Sequence, residues 1–485
     1  MSHPELVVLS PLLLVALAAV ADLVLISFWR SERAAAIVAF VGLLLAFAAL
    51  PVAASYVPRS ASSLLVVDRY ALFFIGLILV AGMTTVVLSY GYLRESGSGE
   101  LYVLFLLATT GAAVLAASDH FASFFLGLEI LSVSLYALIG YRAPRAALGP
   151  AGIEAALKYL VLAGASAAIL LFGMALVYAA LGTLDFGTMA ELIAGGEGAR
   201  GAVWLTGLAL VVAGVGFKLA LVPFHLWTPD VYQGAPAPVT AFVATASKGA
   251  VFAVLLRFFI QVHAQVVPSL ALAISLIAAV SMFVGNLLAL KQKNIKRILA
   301  YSSIAHLGYL LIALRARGPL AVEAIGYYLA AYVLTMLAAF GVVTVLSSGE
   351  REAEDLDDYR GLFWRRPWLA ATLSTALLSL AAIPLTGGFV GKFYIVAAGA
   401  SSSLWPLLIV LALNSGIGLY YYLRILVAMY STGGEAARFS EPKVSAASGL
   451  ALAALVAGVL WLGIYPAPLV RLLRSASPAV ITAVR

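Results

Sequence analysis

The chain has 485 residues, of which 64% are hydrophobic and only 11% are charged. This balance excludes a soluble protein and predicts a polytopic membrane protein built almost entirely from spanning helices. The net charge of +7 comes from Lys and Arg residues scattered over short loops, which is typical of membrane topology signals and not of nucleic-acid binding. Because cysteine is absent, we expect no disulfide, iron–sulfur cluster or Cys-ligated zinc in this chain.

Continuous apolar runs of about 20 residues predict an all-α membrane protein, because the strands of a β-barrel would alternate in polarity instead. About fourteen transmembrane helices are predicted, and the seventh and twelfth are discontinuous, continuing past a break into 228–237 and 387–400. The runs are 6–28, 34–55, 70–92, 101–117, 120–140, 153–181, 202–222, 239–263, 267–290, 297–314, 319–347, 367–383, 404–431 and 444–465. A weaker amphipathic tail, 468–485, is expected to lie at the membrane interface.

A faint internal repeat links the two halves of the chain. The sixth and eleventh runs open on similar segments at Glu154 and Glu323, and the two broken runs follow at a similar offset. Five spans separate the copies, and an odd number of spans inverts the second copy, so we predict two inverted five-helix repeats. The predicted organisation is an N-terminal three-helix segment (1–100), a first repeat (101–263), a second, inverted repeat (264–431) and a C-terminal helix and tail (432–485).

The distribution of loop charge predicts the orientation. If both termini face outward, the inward loops hold more Lys and Arg than the outward ones, with the cluster at 291–297 as the strongest anchor. We therefore expect a multi-pass protein of a bacterial inner (plasma) membrane with both termini on the periplasmic side.

Five ionisable residues lie inside otherwise apolar runs: Glu129, Lys158, Lys218, Lys248 and Lys392. An ionisable group at the centre of a membrane helix costs about 2.5–3.5 kcal/mol on insertion scales. Groups retained at that cost in separate spans indicate a protein that moves charge.

The stretch that follows the seventh run contains four prolines between residues 223 and 238, and these cannot lie in one continuous helix. Freed backbone groups at membrane depth survive only against protein or water, so the break predicts a hydrated pocket. Lys218 lies just before the break, and His225 lies within it. The alternative is a simple kink with a lysine that reaches to the interface.

The twelfth run repeats this arrangement. Pro384 is followed by Gly387 and Gly388, which let the backbone unwind, and Lys392 follows on the next helical piece. Glycines alone are compatible with a purely structural role, but a buried lysine beside them favours a functional site.

Lys248 lies near the middle of the eighth run among small polar neighbours, and Glu129 lies midway along the fifth. A lysine buried in this way can exchange a proton near neutral pH, which a surface lysine cannot. Lys218 is the expected partner of Glu129, because opposite charges keep each other ionised. Lys158 lies closer to the end of its run, so snorkelling to the interface stays open for it.

Two histidines complete the set of candidate proton carriers. His306 lies in the tenth run, and imidazole, which titrates near neutral pH, can bridge distant lysines. For His225 and His306 the alternative is a hydrogen-bonded packing role. Arg257 and Arg424 also lie within spans, and arginine hardly deprotonates, so we interpret them as fixed charges or as end residues that snorkel.

Familiar nucleotide and hydrolase motifs are absent from the sequence. There is no Walker loop, no GxGxxG that opens a helix after a strand, no HExxH and no nucleophile elbow. We therefore expect no catalytic residues, no cofactor and no metal in this chain, and energy from an ion gradient or from a partner protein.

Two segments carry a specific family resemblance. Residues 216–236 read GFKLALVPFHLWTPDVYQGAP, and residues 294–309 read NIKRILAYSSIAHLGY. Both strings resemble the antiporter-like membrane subunits of respiratory complex I, the proton-translocating NADH:quinone oxidoreductase. The resemblance extends over nearly the whole chain. It favours the shorter members of the family, since the chain ends soon after its last span and has no long lateral helix.

The resemblance implies a role for each candidate. Family members use a Glu–Lys pair, here Glu129 and Lys218, a central lysine, here Lys248, and a distal residue, here Lys392, with histidines linking them through water. It also implies that this chain is a non-redox subunit of an enzyme. NADH, FMN, the iron–sulfur clusters and quinone are expected in partner subunits, and other membrane subunits are expected on both sides, within lipid.

Two rival functions stay open on sequence grounds. One is a subunit of a multi-subunit cation/proton antiporter, since the core motifs are shared. The other is a structural subunit that does not pump, which the retention of all the buried lysines disfavours.

Overall fold

The computed structural model describes residues 3–60, 62–93, 99–141, 150–195, 201–263, 267–347, 351–432 and 444–482. A single two-stranded antiparallel ribbon accompanies the helices of these ranges. In chain order the helices are α1 (His3–Phe28), α2 (Glu32–Ala54), α3 (Arg69–Tyr92), α4 (Glu100–Ala117), α5 (Phe121–Ile139), α6 (Pro150–Leu181), α7 (Phe186–Ala194), α8 (Ala202–Lys218), α9 (Trp227–Gly234), α10 (Ala237–Phe242), α11 (Lys248–Gln261), α12 (Pro268–Leu290), α13 (Ile295–Arg315), α14 (Pro319–Leu346), α15 (Leu362–Arg365), α16 (Pro367–Leu380), α17 (Gly387–Ser401), α18 (Trp405–Tyr430), α19 (Ala446–Ile464) and α20 (Ala467–Thr482). The ribbon is β1 (Arg59–Ser60) with β2 (Val66–Val67), a π-helical segment spans Val243–Ser247, and a 3-10 turn spans Leu356–Tyr359.

Across the described ranges, twelve helical segments are long and apolar enough to cross a membrane. Two shorter apolar helices, α8 and α16, lie where the seventh and twelfth runs were predicted. Each is followed by a non-helical break and then by a second helix, α9 or α17. The predicted all-α membrane fold with discontinuous seventh and twelfth helices is therefore confirmed.

Both breaks end their first helix in the same way. The second residue after the helix is an alanine in the left-handed region, Ala220 with φ 60° and Ala382 with φ 58°. The next amide then donates to the carbonyl five residues back, at 2.8 Å from Leu221 and 2.9 Å from Ile383. This is the closure of a Schellman cap, in which a residue with a Cβ costs roughly 1–2 kcal/mol. The matching geometry supports the predicted internal repeat, whose inverted arrangement stays a prediction.

The helices differ in their place in the bundle. The continuous span formed by α10, the π-helical segment and α11 is buried throughout, and α13 and α14 are almost fully buried. By contrast, α1, α2 and α6 expose much of their surface. The centre of the bundle therefore consists of the helices that carry Lys248 and His306.

The basic cluster at 291–297 closes one end of the bundle. Lys296 and Arg297 form the first turn of α13 rather than a loop. Lys296 is fully buried and pairs with Glu352, and Arg297 pairs with Asp230 at 2.9 Å. This cluster both marks an end of the membrane span and fixes the α9 segment there, while the side of the membrane that it faces stays a prediction.

Gly388 allows the two pieces of the twelfth helix to meet. A Cβ at this position would lie 1.9 Å from the Ser379 carbonyl oxygen in the last turn of α16. We expect Gly388→Ala to destabilise the protein by about 1–3 kcal/mol or more, because the backbone of the break must shift. Thermal unfolding in detergent measures the loss of stability in Gly388→Ala. Gly416→Ala is the control, since that exposed glycine of α18 has open space around it; equal stability of the two variants would contradict the prediction.

Candidate functional site

Three buried lysines share one kind of partner, a serine hydroxyl. Lys218, Lys248 and Lys392 are 5%, 1% and 8% exposed. The Nζ–Oγ distances are 2.7 Å from Lys218 to Ser132, 2.6 Å from Lys248 to Ser303 and 3.1 Å from Lys392 to Ser415. Within the described ranges none of these amines forms an ion pair with a carboxylate. A hydroxyl can donate or accept a hydrogen bond, so each amine has a partner whether it is charged or neutral.

Lys218 is the last residue of α8 and faces α5. Its partner Ser132 lies one turn along α5 from Glu129, on the same face. Glu129 acts electrostatically on Lys218, and its buried Oε1 has no hydrogen-bond partner among the described residues. The amine of Lys218 therefore bonds Ser132 and forms no ion pair with Glu129, and the predicted role of these two residues as a pair stays a prediction.

Lys248 directly follows the π-helical segment and begins α11. A π-bulge widens one turn of a helix and is frequent at functional sites. The amine also lies 5.4 Å from the centre of the Tyr232 ring, which comes from α9. The sequence predicted small polar neighbours here but not the π-helical turn.

The helix α13 connects Lys248 with Lys392. Ser303 contacts Lys248, and the ring of Tyr309 lies 4.7 Å from the Lys392 amine. His306 is midway between Ser303 and Tyr309, and the three residues span about 9 Å of helix at 1.5 Å per residue. His306 thus lies between the two amines along α13, and its predicted part in linking them stays a prediction.

Tyrosines bond both ring nitrogens of His306. Its Nδ1 lies 2.7 Å from the Tyr328 hydroxyl and its Nε2 lies 3.2 Å from the Tyr422 hydroxyl. Tyr332 bonds Ser303 at 2.6 Å, beside the Lys248 amine. These phenols were not among the candidates predicted from the sequence, because tyrosine is tolerated in many membrane helices and carries no charge that would make it conspicuous.

A pair of buried asparagines extends this polar network past Tyr309. The Asn286 amide nitrogen donates to the Tyr309 hydroxyl at 3.1 Å and to Asn414 Oδ1 at 3.2 Å. Tyr421 donates to Asn286 Oδ1 at 2.9 Å. Asn414 precedes Ser415, the partner of Lys392, so the network reaches the distal lysine from a second side. These residues were also missed.

His225 and Lys158 lie outside this network. His225 is buried in the break between α8 and α9, and its Nδ1 has no hydrogen-bond partner in the described part of the chain. Lys158 is exposed and pairs with Glu154 at 2.7 Å and with Asp230 at 2.9 Å. The structure therefore does not bring Lys158 into contact with the three buried amines.

The backbone of the first break is satisfied by side chains. The Trp227 indole donates to the Phe217 carbonyl at 2.9 Å, and the Val222 amide donates to Ser281 Oγ at 3.0 Å. Partners of this kind are what allow an irregular backbone at membrane depth. The break is thus a stable part of the fold and places Lys218 at a helix end.

The two arginines of the spans are anchored. Arg257 is 1% exposed and forms a two-bond ion pair with Asp68 at 2.9 and 3.0 Å. Arg424 donates to the carbonyls of Leu290 and Gln292 at the end of α12. Both act as fixed structural charges, in agreement with the sequence interpretation.

Comparisons with known proteins give the family. Residues 118–418 match the family described as NADH:quinone oxidoreductase/Mrp antiporter, TM. An NADH-quinone oxidoreductase subunit N of Nitrosospira multiformis is 52% identical, over 98% of this chain and 96% of the relative. A chain of respiratory complex I from Thermus thermophilus superposes with a TM-score of 0.83 at 35% identity, over 96% of this chain and all of that chain.

A chain of the Mrp complex from Dietzia superposes with a TM-score of 0.84 over the full length of both chains. At 20% identity this likeness shows a shared fold alone. The matched family region contains Glu129, the three buried lysines and both histidines of the candidate site. The chain therefore belongs to the NADH:quinone oxidoreductase/Mrp antiporter membrane family and, within it, to the group of NADH-quinone oxidoreductase N subunits.

Proposed function

We propose that this chain moves protons across the membrane as a non-redox subunit of an NADH:quinone oxidoreductase. The close relatives with that name support the assembly, and the buried amines support the activity. We infer neighbouring membrane subunits on both sides. A bacterial inner membrane with both termini on the outer side is inferred from the relatives and from the loop charges.

The observation that carries the proposal is that Lys218, Lys248 and Lys392 each bond a serine hydroxyl instead of an acid. An amine locked in a buried ion pair would hold its proton, because removing it would leave an unpaired buried carboxylate. An amine beside a hydroxyl releases its proton without stranding a buried carboxylate, and the hydroxyl stays a hydrogen-bond partner of both the charged and the neutral amine. Three such sites in one chain form a set of stations that a proton can occupy in turn.

The relay begins at Glu129 and Lys218. A change of charge there alters the proton affinity of Lys248 through electrostatic interaction across the first half of the bundle. The proton then passes by way of Ser303 and His306 towards Lys392 and leaves the protein. Water carries it over the steps that the side chains do not bridge.

The free energy that drives proton translocation comes from partner subunits, in which quinone reduction takes place. Moving one charge against 100 mV requires about 2.3 kcal/mol. This chain supplies the stations and the change in electrostatic field that links them. NADH, FMN and iron–sulfur clusters belong to those partners in this proposal.

Lys218→Ala tests the first station. We expect the assembled complex to keep its NADH:quinone reductase activity but to translocate fewer protons per electron pair, because the charge that responds to Glu129 is gone. Proton uptake by vesicles containing the complex, with the electron-transfer rate measured in parallel, gives the ratio. Ser132→Ala is the matched variant and should give a smaller loss, since the amine remains. An unchanged ratio in Lys218→Ala would refute the assignment.

The rival function, cation/proton antiport, predicts a different result. Vesicles containing this chain and its native partners would then exchange Na⁺ for protons without NADH. Proton movement that requires NADH oxidation and does not depend on Na⁺ supports the proposed function.

A further inference from the structure

A groove open to the side of the bundle lies between the N-terminal and C-terminal helices. Its volume is about 730 Å³, within the range of about 300–1,000 Å³ that is typical of small-molecule sites. Its walls come from α2, α3, α14, α19 and α20 and are almost entirely apolar. Its lining includes Arg69, Val80, Ala330, Leu334 and Trp461.

The length of the groove matches one leaflet of a bilayer. Along α3 it runs from Arg69, the first residue of the helix, to Val80. Eleven residues of helix span about 16 Å, which is half of the hydrocarbon thickness of about 30 Å. On α14 the groove reaches Ala330 and Leu334, near the middle of a helix that starts at Pro319. The groove thus extends from the headgroup level to the centre of the membrane.

A positive charge lies at the headgroup end of the groove. Arg69 is exposed and, within the described ranges, forms no ion pair. Its neighbour Asp68 is bound by the buried Arg257 and cannot neutralise it. An unpaired arginine is suited to a phosphate, to which it can donate two hydrogen bonds.

We propose that this groove binds one anionic phospholipid, with an acyl chain along α3 and α14 and its phosphate on Arg69. A spanning helix of a partner would need the full membrane depth, and the groove provides half of it. An uncharged quinone head would leave Arg69 without a counter-charge. Trp461 at the wall has the amphipathic ring that is favoured near the interface.

The lipid would support the helix that holds the histidine network. Ala330 and Leu334 lie on the face of α14 opposite Tyr328 and Tyr332. Those tyrosines bond His306 and Ser303. The acyl chain therefore packs against the back of the relay.

Brominated lipids test the proposal through the fluorescence of Trp461. The full-length chain is placed in phosphatidylcholine vesicles that contain a small fraction of phosphatidylglycerol. Two preparations are compared: in one the phosphatidylglycerol is brominated, and in the other the phosphatidylcholine is. The Trp461 signal is the difference between the unmodified protein and Trp461→Phe. We expect brominated phosphatidylglycerol to quench that signal several-fold more strongly, per mole of lipid, than brominated phosphatidylcholine.

Three variants decide the outcome. Arg69→Gln should abolish the preference for phosphatidylglycerol, and Ala330→Phe, which fills the groove, should reduce quenching by both lipids. Arg59→Gln, an exposed arginine of β1 that does not line the groove, should leave the preference unchanged. Equal quenching by the two lipids, or a preference that survives in Arg69→Gln, would overturn the proposal. The proposal would also be overturned if added quinone reduced the quenching of Trp461 by brominated lipid while added phosphatidylglycerol without bromine did not.

Discussion

Lys248→Ala is expected to remove proton translocation by this chain while the complex still assembles and reduces quinone. In the proposed relay Lys248 is the central station, since its amine bonds Ser303 on the helix that leads to His306 and Lys392. A positioned proton carrier contributes roughly 10²–10⁴-fold to the rate of a proton transfer. We expect a loss of this order for transfer through this chain, visible as a lower number of protons translocated per electron pair.

Lys248→Arg tests whether residue 248 must exchange a proton or need only carry a positive charge. Arginine keeps the positive charge but cannot be deprotonated in a protein. If the relay requires Lys248 to release its proton, Lys248→Arg pumps no better than Lys248→Ala. Lys158→Ala is the matched control, because that exposed lysine lies apart from the network, and it should pump normally. Full pumping in Lys248→Arg would show that only a fixed charge is needed at this position.

Asp68→Ala is expected to lower the free energy of unfolding by about 3–5 kcal/mol, because it leaves Arg257 as an unpaired buried charge. Both side chains are almost completely buried, at 1% and 2% exposed. Asp68 also caps α3 by accepting a hydrogen bond from the Ala71 amide at 2.7 Å. Denaturation in mixed micelles, followed by intrinsic fluorescence, measures the change.

One further variant separates the cap from the ion pair in this loss of stability, and a second gives the effect of breaking an exposed ion pair. Asp68→Asn keeps the oxygen that caps α3 but removes the charge, so it should retain the cap and lose the ion pair. Asp357→Ala breaks the exposed pair with Arg360, whose side chains are 67% and 61% exposed, and should cost about 0–1 kcal/mol. A loss in Asp68→Ala no greater than in Asp357→Ala would mean that Arg257 finds another partner.

Asp119 is the carboxylate that can replace Asp68 as a partner of Arg257. It lies between α4 and α5, where burial raises the pKa of its carboxyl and Arg257 lowers it. In Asp68→Ala it is the carboxylate left beside the guanidinium. A variant that also carries Asp119→Asn should therefore be less stable than the sum of the two single changes, as expected for residues that share a partner.

The breaks in the seventh and twelfth helices were predictable from local sequence. Prolines remove backbone donors and glycines relax the backbone, so several prolines close together, or a proline followed by a glycine pair, favour the end of a helix. The left-handed conformations of Ala220 and Ala382 were not predictable, because an alanine has no local preference for them. In the fold, each conformation accompanies the hydrogen bond that closes its helix, from Leu221 or from Ile383.

The candidate site was predictable in its charged members and not in its neutral ones. A lysine or glutamate in an apolar run is conspicuous because the membrane makes it costly. Serine and tyrosine are tolerated in many membrane helices, so Ser132, Ser303 and Tyr422 give no such signal. Lys158 is exposed, which is the alternative that the sequence left open for it, since a charged residue within a helical run can point away from the core.

The sequence alone determined the membrane class, the succession of spans, the two breaks and which spans carry the ionisable residues, because hydrophobic length and backbone chemistry act locally along the chain. The tertiary structure decided which partner each amine has. The serines lie 86, 55 and 23 residues away from Lys218, Lys248 and Lys392. Helices that are apolar on every side carry no periodic signal for the rotation of one against another, so only their packing brings these groups together.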